Sequence, residues 1–367
     1  MHSKKGSWLI TQPDDGMAPL LDALGEAKTR VEMLIFRFDR PEIERALIDA
    51  VGRGVVVQAL IAWTNRGGEQ TLRQLETRLL AAGVTVSRTA SDLPRYHGKM
   101  IIVDRKVLYV LGFNFTALDI NRSRSFGVAL TSRRLITEAA RLFEADSNRQ
   151  SYSTTSKSFL VSPVNAREGL AAFIEGAKKE LLIYDPCVKD RQMLRLLDER
   201  ARAGARVRII GALKRPVESI ENHPLAQIRL HTRTIIRDRS EVFVGSQSLR
   251  AAELDDRREV GVIVDDAHVV SAIRRTFESD WKEAEAARES ATVPLSGDKL
   301  AKKVAKAISK ELPPVSEVIE NMAEEIPGAV NLEGVNLEAL EDTIRSAVKV
   351  VVRDSIQEAA SKEPSPA

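Results

Sequence analysis

Two segments of this 367-residue chain bring together residues able to do chemistry. The first reads His97-Gly98-Lys99-Met100-Ile101-Ile102-Val103-Asp104; the second, 134 positions later, reads His231-Thr232-Arg233-Thr234-Ile235-Ile236-Arg237-Asp238. Side chains two apart on a strand share a face, so each segment presents an imidazole beside a cation. That combination suits attack on a phosphate ester. One imidazole can attack phosphorus to give a phosphohistidine, while the other protonates the leaving oxygen and then activates an incoming alcohol or water. Lys99 and Arg233 would hold the nonbridging oxygens, the guanidinium in bidentate fashion, and stabilise charge that builds there. Two side-chain cations meet this need without a metal. The sequence has no Cys and His cluster at zinc-ligand spacing, and no cofactor is expected.

Convergence of the two pairs on one pocket requires two copies of one unit packed about a pseudo-twofold axis. The copies are visible. Residues 8–61 match a later segment at an offset of 150 (Pro13/Pro163, Ala27/Ala177, Leu47/Leu197, Gly54/Gly204), and a second stretch matches at 134 (Arg124/Arg258, Gly127/Gly261, Phe143/Phe277, Asp146/Asp280). The extra residues of the first copy fall between Ile61 and His97, where Leu72, Leu75 and Leu79 recur at helical spacing in Glu69–Ala82, ahead of Gly83. The first copy is therefore expected to carry a helix that the second lacks. Each copy opens as strand, helix, strand: Val31–Phe38, a helix begun by Pro41, and Val55–Trp63; then Glu180–Tyr184, Arg191–Ala203 and Val207–Ile210. Short strands follow the histidines at Met100–Val103 and Thr234–Ile236. The pattern predicts helices packed on a partly parallel sheet.

Composition narrows the class. The single cysteine, Cys187, closes no intramolecular disulfide, which fits a reducing compartment. The longest apolar runs reach about half of the roughly 20 residues that span a bilayer, and the amino terminus is too poor in apolar residues for a signal-peptide core. A soluble, cytoplasmic protein is expected. Net charge is +3, but residues 291–367 hold nine Lys and Arg against thirteen Asp and Glu, leaving 46 against 39 on the rest. A mildly basic body suits an anionic substrate without the dense patch usual in nucleic-acid binding.

The two segments resemble the signature of the phospholipase D superfamily, His-x-Lys-x4-Asp-x6-Gly-Ser-x-Asn, usually present twice. His97, Lys99, Asp104 and Asn114 fit the first copy, with Leu111 and Gly112 in place of Gly-Ser. His231, Asp238, Gly245 and Ser246 fit the second, with Arg233 for Lys and Ser248 for Asn. The resemblance covers roughly residues 8–285. It implies an α/β fold of two tandem phospholipase D-like α-β-α repeats related by a pseudo-twofold axis, to which a helical C-terminal extension is added. The expected boundaries are 1–150, 151–288 and 289–367, the last partly disordered at its end. The resemblance also implies roles: His97 as nucleophile and His231 as general acid and base, Lys99 and Arg233 on phosphate, Asn114, Ser246 and Ser248 on substrate, Asp104 and Asp238 supporting the fold and the cations. In the family a later glutamate often orients a histidine from behind, and Glu259 holds that place. It would fix the tautomer of His231, which leaves the reverse assignment of nucleophile open; the position equivalent to Glu259 in the first copy is Ser125.

The implied activity is a phosphodiesterase or phosphatidyltransferase on phospholipid. Two alternatives stand beside it: a metal-independent nuclease of the same superfamily, which Gly112-Phe113-Asn114-Phe115-Thr116 also resembles, and a catalytically impaired phosphate-binding protein, since Arg233 departs from the motif. In the tail, Lys299–Leu312 and Asn336–Ala360 are expected to be helices. The first is basic and amphipathic, a form that suits peripheral contact with an anionic membrane, although packing on protein is the commoner use.

Overall fold

The computed structural model describes residues 6–35, 40–63, 69–225 and 227–292. The chain divides into two units, Met1–Ala287 and Arg288–Ala367. Both expected tail helices lie outside the described residues, and the account below concerns the first unit.

Strands and helices alternate as the apolar periodicity requires. The first repeat runs β1 (Ser7–Gln12), α1 (Ala18–Glu26), β2 (Arg30–Ile35), α2 (Pro41–Gly52), β3 (Val56–Ile61), α3 (Glu69–Ala81), β4 (Thr85–Arg88), β5 (Arg95–Tyr96), β6 (Met100–Val103), β7 (Val107–Leu111), α4 (Ala117–Asn121), β8 (Ser123–Leu130) and α5 (Arg133–Ser147). The second runs β9 (Phe159–Ser162), α6 (Ala166–Glu175), β10 (Glu180–Val188), α7 (Arg191–Arg202), β11 (Arg206–Leu213), β12 (Glu221–His223), β13 (Arg229–Leu230), β14 (Arg233–Arg237), β15 (Glu241–Gly245), a π-helical turn at Ala252–Asp256, β16 (Arg257–Val264) and α8 (Ala267–Thr292). Pro41 opens α2, whose Ile43, Leu47 and Ala50 are buried. Gly54 and its counterpart Gly204 take positive φ of 84° and 97° to turn the chain from helix into the next strand. The β11 strand leads to β12 through residues 214–220 without a helix, whereas α3 separates β3 from β4. The extra helix thus belongs to the first copy.

The sheets have matching orders, β1-β8-β7-β6-β2-β3-β4 and β9-β16-β15-β14-β10-β11-β12, with β2–β3 and β10–β11 parallel and the histidine-proximal strands antiparallel. The two copies are related by a pseudo-twofold axis, and the inner faces of both sheets enclose one core with α5 and α8. That core includes Phe126, Val128, Phe143, Phe159, Tyr184, Val244, Phe277 and Trp281. Phe126 of the first repeat meets Tyr184 of the second edge-on at 5.6 Å between centroids. Separate clusters bury α1, α2 and α3 on the outer face of the first sheet and α6 and α7 on that of the second. Because the middle layer is shared, separating the repeats would expose a large apolar face on each.

Candidate active site

The short strands β5 and β13 each cross to the other repeat. Arg95 and Tyr96 pair in parallel with Arg257 and Arg258 of β16, while Arg229 and Leu230 pair with Ser123 and Arg124 of β8. The chain just after each crossing is held the same way. The N–H groups of His97 and Gly98 donate to the carbonyl of Arg258 at 2.7 and 2.9 Å, and those of His231 and Thr232 to the carbonyl of Arg124 at 3.1 and 3.0 Å. Each histidine is therefore carried by one repeat and positioned by the other. Buried ion pairs brace the same seam: Arg124 with Asp280 at 2.9 Å and Arg258 with Asp146 at 3.1 Å.

His97 is nearly buried, and its Nδ1 lies 2.9 and 3.1 Å from the carboxylate oxygens of Glu259. Lys99 Nζ donates to His97 Nε2 at 3.1 Å and to the His97 carbonyl at 2.6 Å. The Glu259 carboxylate can only accept, so Nδ1 carries the proton it receives and Nε2 is left as the acceptor for Lys99. This corrects the expectation that Glu259 serves His231. Both lie in the second repeat, but the crossing of β5 onto β16 sets Glu259 behind the histidine of the first. Behind His231 the corresponding position is Ser125, a buried hydroxyl without a hydrogen-bond partner. The nearest carboxylate to His231 Nδ1 is that of Asp119, at 3.5 Å. Arg233 repeats the geometry of Lys99, with Nη1 donating to the His231 carbonyl at 2.6 Å.

Asp119 and its counterpart Glu253 escaped the reading of the sequence. They sit at the same offset of 134 as the histidines, but one is Asp and the other Glu, so identity matching passes over them. Asp119 accepts from the N–H and Nδ2 of Asn114 at 2.9 and 2.7 Å and from Arg229 at 2.6 Å; Glu253 accepts from the N–H of Ser248 at 2.8 Å. Asn114 thereby stays at the site, fixed by Asp119. The expected substrate contacts of Ser246 and Ser248 are not what the geometry favours. Both are fully buried: Ser246 bonds to the backbone of Val260 and to the Glu259 carboxylate, and Ser248 Oγ donates to Asp185 at 2.5 Å. Asp104 and Asp238 support the fold but not the cations. Each caps the backbone N–H groups that begin β2 or β10, at Lys28–Arg30 and at Lys178–Glu180. They lie past the far ends of β6 and β14, about 16 Å along the strand from Lys99 or Arg233.

Burial dominates the electrostatics. It pushes the His97 imidazole well below its ordinary range, and Lys99, Arg233 and Arg95 add to the shift. Burial lowers Lys99 to about 7 against the pull of Glu259, with Arg233 reinforcing the drop. His231 is likewise depressed, by burial and then Arg233, while Asp119 opposes. Glu259 is raised by burial. Burial also pushes Asp119 up, but His231 and the donors Asn114 and Arg229 outweigh it and hold the carboxyl below its usual range. A bound anion would offset the penalty on the cations, so the site favours negative charge. Among the described residues no group of three or more His, Cys, Asp or Glu is placed to hold a metal ion.

A family model described as cardiolipin synthase, PLD-like domain, matches residues 20–147 and 170–281, one segment in each repeat. No curated protein matches the chain. Among solved structures, polyphosphate kinase from Porphyromonas gingivalis superposes with a TM-score of 0.65 and 18% identity, over 75% of this chain and 47% of that one. The chain thus spans about half the length of that kinase. Phosphatidylserine synthase from Haemophilus influenzae Rd KW20 gives a TM-score of 0.57 and 10% identity, over 76% of this chain and 86% of that one. Nuc, a phospholipase D family member from Salmonella typhimurium, gives 0.36 and 24% identity, over 39% of this chain and 93% of that one. For the kinase and the synthase the likeness is one of fold.

Proposed function

The chain belongs to the phospholipase D superfamily, and from that premise we propose that it cleaves a phospholipid phosphodiester, by hydrolysis or phosphatidyl transfer, through a phosphohistidine. The observation that carries this reading is the bond between Glu259 and His97 Nδ1, which leaves Nε2 as the nucleophilic lone pair. In the first step Nε2 attacks phosphorus, the P–N bond forms, the P–O bond to the leaving group breaks, and that oxygen takes a proton from His231. In the second, water or an alcohol gives its proton to His231 and attacks phosphorus, and the P–N bond breaks. Glu259 stabilises the positive imidazole of the intermediate, as an orienting carboxylate does in other histidine-dependent sites. Lys99, now on His97 Nε2, turns to a nonbridging oxygen when phosphate enters, with Arg233 opposite. His231, depressed by burial and Arg233, takes up the proton it donates as the anionic substrate offsets those charges, with the Asp119 carboxylate 3.5 Å from Nδ1 favouring the charged form.

The test is phosphatidate or head-group release from short-chain phosphatidylcholine and phosphatidylglycerol by wild type, His97→Asn and His231→Asn. Loss in both variants supports the assignment; equal activity in all three sinks it. Single-stranded DNA in the same panel tests nuclease activity. Tight phosphate binding without a trapped phosphoenzyme would mark a protein that binds but does not turn over.

A further inference from the structure

At the catalytic end of the second repeat, two neighbouring strands run out into turns that carry cations. Lys189 follows β10, Lys214 and Arg215 follow β11, and all three are exposed. Backbone hydrogen bonds hold the turns together: the Lys214 N–H donates to the Val188 carbonyl at 3.0 Å, and the Lys189 N–H to the Leu249 carbonyl at 2.9 Å. Half-buried Arg250 lies beside them, its Nε on the Cys187 carbonyl at 3.0 Å. These turns border the site, since Tyr184 of β10 pairs with Thr234, next to Arg233, and Asp185 accepts from the hydroxyl of Ser248.

The protein does not match this charge. Among the described residues no ion pair or side-chain hydrogen bond involves Lys189, Lys214 or Arg215. The adjoining carboxylate, Asp190, is taken by Arg167 at 2.8 Å and by the N–H groups that begin α7, which leaves Glu218 as an exposed acid three residues past Arg215. Nor does the fold require the cations. Residues that the duplicated framework needs recur in both copies, as Gly54 and Gly204 do, whereas the positions 150 before Lys189, Lys214 and Arg215 are Asp39, Thr64 and Asn65. The same end of the molecule exposes two large apolar side chains: Leu118 of α4, next to Asp119, at 48%, and Trp63, just past β3, at 44%. The parallel strands β2 and β3 end beside Met100, so Trp63 stands at the end that holds His97 and Lys99. Exposed Arg149 lies over its ring at 5.9 Å.

We propose that this rim docks the catalytic mouth on an anionic bilayer, with Lys189, Lys214 and Arg215 on acidic head groups and Trp63 and Leu118 in the interfacial layer. Cations and exposed apolar side chains at one end of a protein fit a surface in which charged head groups lie above hydrocarbon. A nucleic-acid strand would instead require aromatic rings interleaved with the cations, and residues 186–189, 212–218 and 249–252 contain none. The inference rests on the phospholipid reading above and names the form in which the substrate is met, an anionic lipid held in a membrane.

The test is sedimentation of the full chain with vesicles of phosphatidylcholine, with and without phosphatidylglycerol. Wild type should bind the anionic vesicles, less at high salt, and Lys189→Gln/Lys214→Gln/Arg215→Gln should bind them about 100-fold more weakly. Turnover of monomeric short-chain phosphatidylglycerol by this variant should match wild type, while turnover on vesicles falls. Equal binding to both vesicles by wild type, binding unmoved by the triple substitution, or preference for single-stranded DNA over anionic vesicles overturns the surface. Unchanged binding in Trp63→Ala/Leu118→Ala overturns its apolar half. Rim-dependent vesicle binding by a wild type that turns over no lipid would uphold the surface and refute the phospholipid reading instead.

Discussion

The carboxylate of Glu259, in the second repeat, receives the Nδ1 proton of His97, in the first, across 162 positions of the chain. No single copy holds both. His97 and Lys99 come from one repeat, their orienting acid from the other, and the backbone of Arg258 anchors the histidine between them.

Replacing Glu259 with Gln keeps the shape and removes the charge that stabilises the positive imidazole. The kcat should fall about 10- to 100-fold, with less change in KM. Steady-state kinetics and a thermal melt check this together. An unchanged kcat in a folded variant would remove Glu259 from the mechanism.

His231→Asn should show a dependence on leaving group. With a p-nitrophenyl ester, whose leaving oxygen needs no proton, the phosphoenzyme should still form and accumulate, detectable by intact mass after acid-free quenching. With an alkyl phosphodiester the first step should slow by about 10²–10⁴. If His97→Asn rather than His231→Asn accumulates the adduct, the two roles are reversed.

Burial lowers Lys99 to about 7, so its charge is present below that pH and lost above it. Affinity for sulfate, which stays ionised throughout, should weaken as pH rises through 7, by up to about tenfold per unit, and Lys99→Met should flatten the profile. Stability moves the other way. The unfolded chain retains the ordinary value of 10.5 and binds a proton that the folded chain has shed, so stability gains with pH between about 7 and 10.5. Urea melts of wild type and Lys99→Met across that window should differ by this slope; a difference of opposite sign would contradict the depressed ammonium.

Arg258→Met strands the buried Asp146 carboxylate and should cost about 3–5 kcal/mol at neutral pH. Burial already lifts Asp146 to about 6 despite Arg258, so the deficit should shrink on acidification as the carboxyl takes its proton. Adding Asp146→Asn should recover part of the loss in chemical denaturation. A deficit that ignores both pH and the second substitution would mean the pair is not what binds the seam.

The amino-acid order by itself determined the duplication, the apolar strand that follows each histidine, and the extra helix of the first copy. These are properties of spacing, and spacing survives folding because side-chain direction in a strand or helix follows from local backbone geometry. The tertiary structure alone decided which acid serves which histidine. A constant offset relates equivalent residues within copies, whereas the site is made of residues that meet across the pseudo-twofold axis, and no periodicity encodes that exchange. The same limit hid Asp119 and Glu253, which differ in side-chain length yet hold equivalent places. It also left Ser246 and Ser248 looking like substrate contacts, because a motif names the residue but not the neighbour its hydroxyl will find once the strand is buried: Glu259 and the Val260 backbone for one, Asp185 for the other.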